Sequence, residues 1–176
     1  MPQETWYKKR KLPKKAGPVE GVVDTGITAV ALFRNLDGEI AFNFLSKILK
    51  WERRCITPTS AFLGAYHIMT QYIGVDKVSA QRALTKTLET RSPTLHQDIS
   101  IDEAIDSLVY ANGYNMESWD GHIISLAKSH GATVIYTPDQ EMARKVKEVT
   151  VINPIPQEAF RKYNEWLKEK TGNKQD

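Results

Sequence analysis

The sequence predicts an α/β fold, a three-layer sandwich around a central, mostly parallel sheet. Two short β-branched segments carry that expectation, residues 19–24 and 132–136. Val22 and Val23 are adjacent, so both faces of the first segment are buried, as in parallel sheets whose two sides are covered by helices. Helical patterns separate the β segments, the order expected of such a sandwich. Ligands in these folds bind beyond the carboxyl ends of the strands. Asp24 ends the first segment, and Asp139 lies just past the second.

The elements follow in order. Residues 1–18 form a basic, proline-punctuated arm closed by Gly17-Pro18, residues 19–155 the folded domain, and residues 156–176 a terminal helix and tail. After the strand at 19–24, Thr25-Gly26 turns the chain into an apolar helix over 27–36, which Asp37-Gly38 ends. The segment 40–53 carries Ile40, Phe44, Ile48 and Trp51 at helical spacing, with Lys47, Lys50 and Arg53 elsewhere around it. Pro58 and its Thr and Ser neighbours open a helix over 59–73, closed by Gly74. Another spans 75–89 with Val78, Leu84 and Leu88 as its apolar members. Ser92-Pro93 interrupts, and helices at 101–111 and 117–130 are divided by Asn112-Gly113. The strand at 132–136, a helix at 140–147 and a strand at 149–152 complete the domain.

Composition bounds the function. The chain has 176 residues, enough for one domain with a sizeable core. Its 41% hydrophobic and 26% charged residues are ordinary for a globular protein. Cys55 is the single cysteine, which excludes an internal disulfide framework, and no His cluster is spaced along the chain to hold zinc. With a charged N-terminus and no membrane-length apolar run, the expectation is a cytoplasmic protein with no membrane contact. Charge is unevenly placed. Lys8, Lys9, Arg10, Lys11, Lys14 and Lys15 against Glu4 and Glu20 give residues 1–20 a net +4, so the total of +3 leaves −1 on the rest. Such an arm can bind phosphates with release of counterions, with Trp6 and Tyr7 to stack on bases, or can be a solvated tail.

Three carboxylates stand out: Asp24, Asp139 after Thr137-Pro138, and Asp120 early in the helix Ser118-Trp119-Asp120-Gly121-His122. A hard cation such as Mg²⁺ or Mn²⁺ takes oxygen ligands, and converging acids repel unless a cation or shared protons relieve them. A cation held there lowers the pKa of a water and neutralises charge growing on a phosphodiester. Each residue has a plainer reading, Asp24 and Asp139 as helix caps and Asp120 as a solvated helix residue.

Residues 118–154, S-W-D-G-H-I-I-S-L-A-K-S-H-G-A-T-V-I-Y-T-P-D-Q-E-M-A-R-K-V-K-E-V-T-V-I-N-P, resemble the C-terminal half of a PIN domain, and V-V-D-T-G-I-T resembles that family's first strand and acid. The similarity covers residues 20–155. It implies a metal-dependent endoribonuclease acting on RNA, with Asp24, Asp120 and Asp139 as metal-site acids and Thr137 as the polar residue beside the last. One departure matters. The family's usual helix glutamate falls at Gly64 within Leu63-Gly64-Ala65-Tyr66-His67, and neighbouring registers offer Leu63 or Ser60. Glu117, three residues before Asp120, is the candidate replacement ligand; Glu141 and His67 are weaker ones. Many PIN proteins are toxins of VapBC-type toxin–antitoxin pairs, usually dimeric, which implies a small antitoxin partner and a homodimer, with Phe42, Phe44 and Leu45 either at a dimer surface or in the core. Ribosomal-RNA processing stays open, and the alternative to a nuclease is a PIN-fold RNA-binding or assembly module that has lost catalysis. Lys47, Lys50 and the arm are the candidate nucleic-acid contacts, positioning the backbone rather than reading sequence.

Other enzyme classes fit less well. The run Asp24-Thr25-Gly26-Ile27-Thr28 touches the D-x-D-x-T nucleophile motif of haloacid-dehalogenase-like phosphatases, but Gly26 replaces the second aspartate. There is no G-x-x-x-x-G-K-[ST] loop and no G-x-S-x-G elbow.

Overall fold

A computed structural model describes residues 18–33, 38–97 and 99–156. In chain order these form β1 (Gly21–Val23), α1 (Thr25–Leu32), α2 (Gly38–Leu49), β2 (Cys55–Pro58), α3 (Ser60–His67), α4 (Lys77–Glu89), β3 (Leu95–His96), α5 (Ile101–Tyr114), α6 (Ser118–Ser129), β4 (Val134–Tyr136), α7 (Gln140–Lys145) and β5 (Thr150–Ile152). A wider-turned segment, Ile68–Ile73, continues α3 to Gly74, whose φ of 77° ends it in the left-handed region. The arm carrying Lys8, Lys9, Arg10, Lys11, Lys14 and Lys15, the turn at Asp37, and the terminal helix after Pro156 lie outside the described residues.

Among the described residues the sheet has five strands in the order β3-β2-β1-β4-β5, and every pairing is parallel. Its two faces bury separate cores. Val23 packs with residues of α1 to α4 and of the segment after α3, including Ile27, Leu45, Ile48, Phe62 and Met69. Val22 packs on the other side with Ile123, Ile124 and Leu126 of α6 and with Met142 and Val146. Consecutive strand residues point to opposite faces, so one Val-Val pair serves both layers. The three-layer α/β sandwich is as the sequence predicts.

Several boundaries differ. Strand β2 falls where the sequence suggested the approach to a helix, because Thr57-Pro58 looks like a turn; Pro58 instead ends the strand, where its missing N–H costs no ladder bond. Strand β3 is two residues long, too short for any periodic signal. Helix α2 stops at Leu49, and Trp51 leaves it with φ 64°. Its buried face is Ala41, Leu45 and Ile48, while Ile40 is exposed, so Leu45 is a core residue and not part of a dimer surface. Helix α5 runs through Asn112-Gly113 to a left-handed Asn115. Val78, expected in the core of α4, is exposed, and Ala80 takes its place beside Leu84.

Candidate active site

Strands β1 and β4 are neighbours, and their exit ends bring residues far apart in sequence into contact. The Asp24 N–H bonds the Tyr136 carbonyl at 3.0 Å, extending the ladder by one rung. Gly26 and Pro138 pack so closely that a Cβ at Gly26 would lie 2.7 Å from the proline ring. The two strand-to-helix turns are therefore held together.

Asp24 is buried and caps α1, accepting from the Thr25 N–H at 2.6 Å on Oδ1 and from the Gly26 N–H at 3.4 Å on Oδ2. The Thr137 hydroxyl donates to Asp24 Oδ2 at 2.7 Å and accepts from the Asp139 N–H at 3.0 Å. Asp139 in turn caps α7 through the Glu141 N–H at 2.7 Å. Thr137 thus fixes the relation of both acids, and its own side chain is buried. The capping expected of Asp24 and Asp139 is real, and it coexists with their convergence.

Asp120 stands in the first turn of α6, where its carboxylate and that of Glu117 form a reciprocal capping box. Its carboxyl is pushed up from 3.8 to about 6, first by burial and then by the charges of Asp24 and Asp139. Asp24 is shifted upward too, chiefly by burial, against the pull of its hydrogen bonds, with Asp139 adding repulsion. Asp139 is near enough to oppose the ionisation of both Asp24 and Asp120, and Asp24 that of Asp120. An open cleft of about 370 Å³ beside them is lined by Asn115, Met116, Glu117, Asp120, Asp139 and Glu141. No lysine or arginine is among these residues. Glu141 is paired with Lys145 at 2.6 Å.

Gly64 lies against this site. A Cβ there would stand 2.7 Å from the Thr25 methyl, next to Asp24, so α3 approaches α1 at a point that a side chain would crowd. Leu63 is exposed and Ser60 buried, and neither supplies an acid. His67 is exposed, edge-on to Tyr72. Lys47 and Lys50 are on or just past the last turn of α2, which leads into the start of β2. That is the entry end of the strands, away from Asp24 and Thr137. Lys47 there borders a hollow with Asn43, Phe44 and Arg53. The Arg53 guanidinium stacks on Phe44 and Tyr136 and pairs with Glu20. Cys55 is buried, its thiol pushed up to about 12 by burial, which leaves it unreactive. Thr25, Asn115 and Met116 also border the acids without a motif to mark them; only the left-handed Asn115 has a local signal, asparagine after a helix.

The acids and Thr137 offer only oxygen donors, which suits a hard divalent cation such as Mg²⁺ or Mn²⁺. Repulsion on Asp24 and Asp120 is the electrostatic condition such an ion relieves; the cation at the cleft's edge, Lys145, is tied to Glu141 and the Asn115 carbonyl. Among the described residues no group of three or more His, Cys, Asp or Glu side chains is placed so that it could hold a metal ion. The donor chemistry suits such an ion, but the side chains as placed do not make a metal-holding group.

No family model matches the sequence, and no curated protein matches it. Solved structures do. PAE2754 from Pyrobaculum aerophilum aligns at 22% identity over 76% of this chain and 83% of that one, with a TM-score of 0.53. FitAcB from Neisseria gonorrhoeae aligns at 18% identity over 76% and 96%, TM-score 0.53. VapC20 from Mycobacterium tuberculosis, described as a sarcin-ricin loop cleaving toxin, aligns at 16% identity over 73% and 97%, TM-score 0.51. A toxin–antitoxin complex from Klebsiella pneumoniae aligns at 18% identity over 77% and 98%, TM-score 0.50. At these identities the likeness is one of fold. The chain has a PIN-like α/β fold.

Proposed function

We propose that this protein is a metal-dependent endoribonuclease whose Asp24, Asp120 and Asp139 hold Mg²⁺ or Mn²⁺. The observation that carries the reading is the hydrogen-bond chain from Asp139 through Thr137 to Asp24, beside an Asp120 carboxyl raised to about 6. An ion bound there supplies charge neutralisation and an acidified water for phosphodiester hydrolysis. The chain's own residues do the positioning. Thr137 holds the Asp24 carboxylate in one orientation, α7 fixes Asp139 through its capping bond, and the Glu117–Asp120 box aims Asp120 from the start of α6. Glu117 borders the same cleft and is the carboxylate available to offset the lack of one at Gly64; Glu141, tied to Lys145, is the weaker substitute.

The solved structures described as toxins or as a toxin–antitoxin complex favour a toxin role, with a small antitoxin as partner. Exposed Phe42 on α2 is the apolar residue of the expected trio left for a dimer surface. The arm, Lys47 and Lys50 supply backbone contacts to RNA, and a reducing, cytoplasmic setting suits the single buried thiol. Gly64 favours a second reading, a PIN-fold RNA-binding or assembly module without catalysis.

Calorimetric titration with Mn²⁺ separates the two. The nuclease reading expects binding in wild type that is lost in Asp139→Asn, and metal-dependent cleavage abolished by Asp120→Asn with folding unchanged. Cleavage retained in Asp120→Asn would sink the assigned site. No binding in wild type, restored in Gly64→Glu carrying Thr25→Ser to clear the crowded methyl, would favour the lapsed module.

A further inference from the structure

Every pairing in the sheet is parallel, and parallel sheets are covered by helices on both faces. The edge strand β5 is bare on one. Val151 packs into the core on the α6 side. Thr150 and Ile152 point the other way, in register with Val134 and Tyr136 of β4, which pack with the α1–α4 core. Helix α2 reaches as far as β4, where Phe44 packs on Tyr136 with ring centroids 4.9 Å apart. One strand further out, Thr150 is exposed and Ile152 keeps 40% of its surface in solvent. Ile40, Asn43, Phe44 and Lys47 form one stripe of α2, at i, i+3, i+4 and i+7. With Pro154, just past β5, they border a hollow of about 620 Å³. Ile40 on that stripe is 42% exposed. The bare strand face and the stripe are two walls of one gap.

The described chain ends at this gap. Ile155 is buried in the α1–α4 core, and Pro156 is the last described residue. In the sequence that follows, Ala159, Phe160, Tyr163, Trp166 and Leu167 recur at i, i+1, i+4, i+7 and i+8. That is the apolar stripe of an amphipathic helix, with Arg161, Lys162, Asn164 and Glu165 between its members. Proline is favoured where a helix starts and glycine just past its end, the places of Pro156 and Gly172. As a helix, residues 158–168 extend about 16 Å, close to the roughly 18 Å of α2. The exposed apolar face of α5, with Ile101, Ile105 and Leu108, is on the other side of the sheet from Ile155.

We propose that residues 157–171 form a helix whose apolar stripe docks in this gap, over Ile152 of β5 and against Ile40 and Phe44 of α2. The occupant is the chain's own C-terminal segment, which starts at the hollow and carries the apolar surface that both walls lack. Its docking completes the helical layer over β5 and closes this side of α2 to any other partner. Phe42, off the stripe, stays open.

Two measurements on the full chain test this, each perturbing one wall and reading the other. Hydrogen–deuterium exchange is followed at the amides of residues 159–168 in wild type and in Ile40→Asp. Maleimide labelling is timed on Asn43→Cys with and without Leu167→Asp; Cys55 is buried, so the introduced thiol is the one that reacts. Wild type is expected to protect 159–168. Ile40→Asp should speed exchange there, and Leu167→Asp should speed labelling at position 43, each by roughly ten- to hundredfold, the effect of losing one buried aliphatic side chain. Unchanged exchange in α5 and α6 shows that a variant still folds, and Leu167→Asp carries the test if Ile40→Asp does not. Unprotected amides at 159–168 in wild type, or labelling at position 43 indifferent to Leu167→Asp, would overturn the proposal. Protection lost on dilution would overturn it too, by placing a second copy's segment in the gap. The acid cleft takes no part in either measurement.

Discussion

Burial and the charges of Asp24 and Asp139 all oppose ionisation of Asp120, which carries its pKa from 3.8 to about 6. A raised carboxyl pKa means that the folded chain keeps a proton that the unfolded chain releases. Stability therefore falls as pH rises through that window, and the penalty is fully present above about pH 6. In metal-free protein, the Tm of wild type is expected to drop relative to Asp120→Asn between about pH 4 and about pH 7, and Mn²⁺ at neutral pH should narrow the gap. Parallel Tm profiles for the two proteins would show that no such repulsion exists. Asp24 and Asp139 are legible in the sequence because each marks the exit of an apolar strand. Asp120 is legible through a family resemblance around Trp119-Asp120. The contact between Gly64 and Thr25 has no local signal, since it joins two helices at one point of closest approach.

Helices α5 and α6 are the most intimately packed pair of elements, and Gly121 is the reason they can be. A Cβ at that position would lie 2.1 Å from the Ser107 carbonyl oxygen and 2.8 Å from the Ala111 backbone nitrogen. Backbone cannot rotate aside as a side-chain tip can, so the pair would have to separate. Gly121→Ala is expected to lower stability by about 1–3 kcal/mol or more through overpacking, despite alanine's better helix propensity. Denaturant midpoints measure this, and an unchanged midpoint would contradict the crossing geometry. Since α6 carries Asp120 at its start, metal binding should weaken in the same variant. The longer helices are legible from apolar spacing, whereas β2 and β3 are not. Four residues ending in proline, and a strand of two, owe their structure to pairing with β1 and with each other rather than to propensity.

For the molecule as a whole, charge divides the chain more sharply than structure does. The residues beyond the first twenty carry a net −1, and the acid cleft faces solvent with carboxylates. A polyanion approaching that cleft needs cations supplied from elsewhere, and the arm is the densest source in the sequence. Deleting residues 1–16 should weaken RNA binding and flatten the dependence of log K on log salt. The slope should shrink by roughly 0.7 for each single-strand phosphate that the shortened chain leaves unneutralised. Filter-binding or anisotropy across a salt series reads this directly, and an unchanged slope would assign the arm no part in binding.

Thr137 touches Asp24 across 113 positions of sequence, and β1 lies between a partner made soon after it and one made much later. Pairing with β2 can begin while the chain is still being synthesised, but the rung that joins Asp24 to β4 must wait until Tyr136 has been made. Until Tyr136 and Thr137 have emerged, Asp24 has no hydroxyl to orient it and no Asp139 beside it. The centre is thus a late assembly: a nascent chain that stops short of residue 139 has Asp24 and Asp120 but no means of joining them.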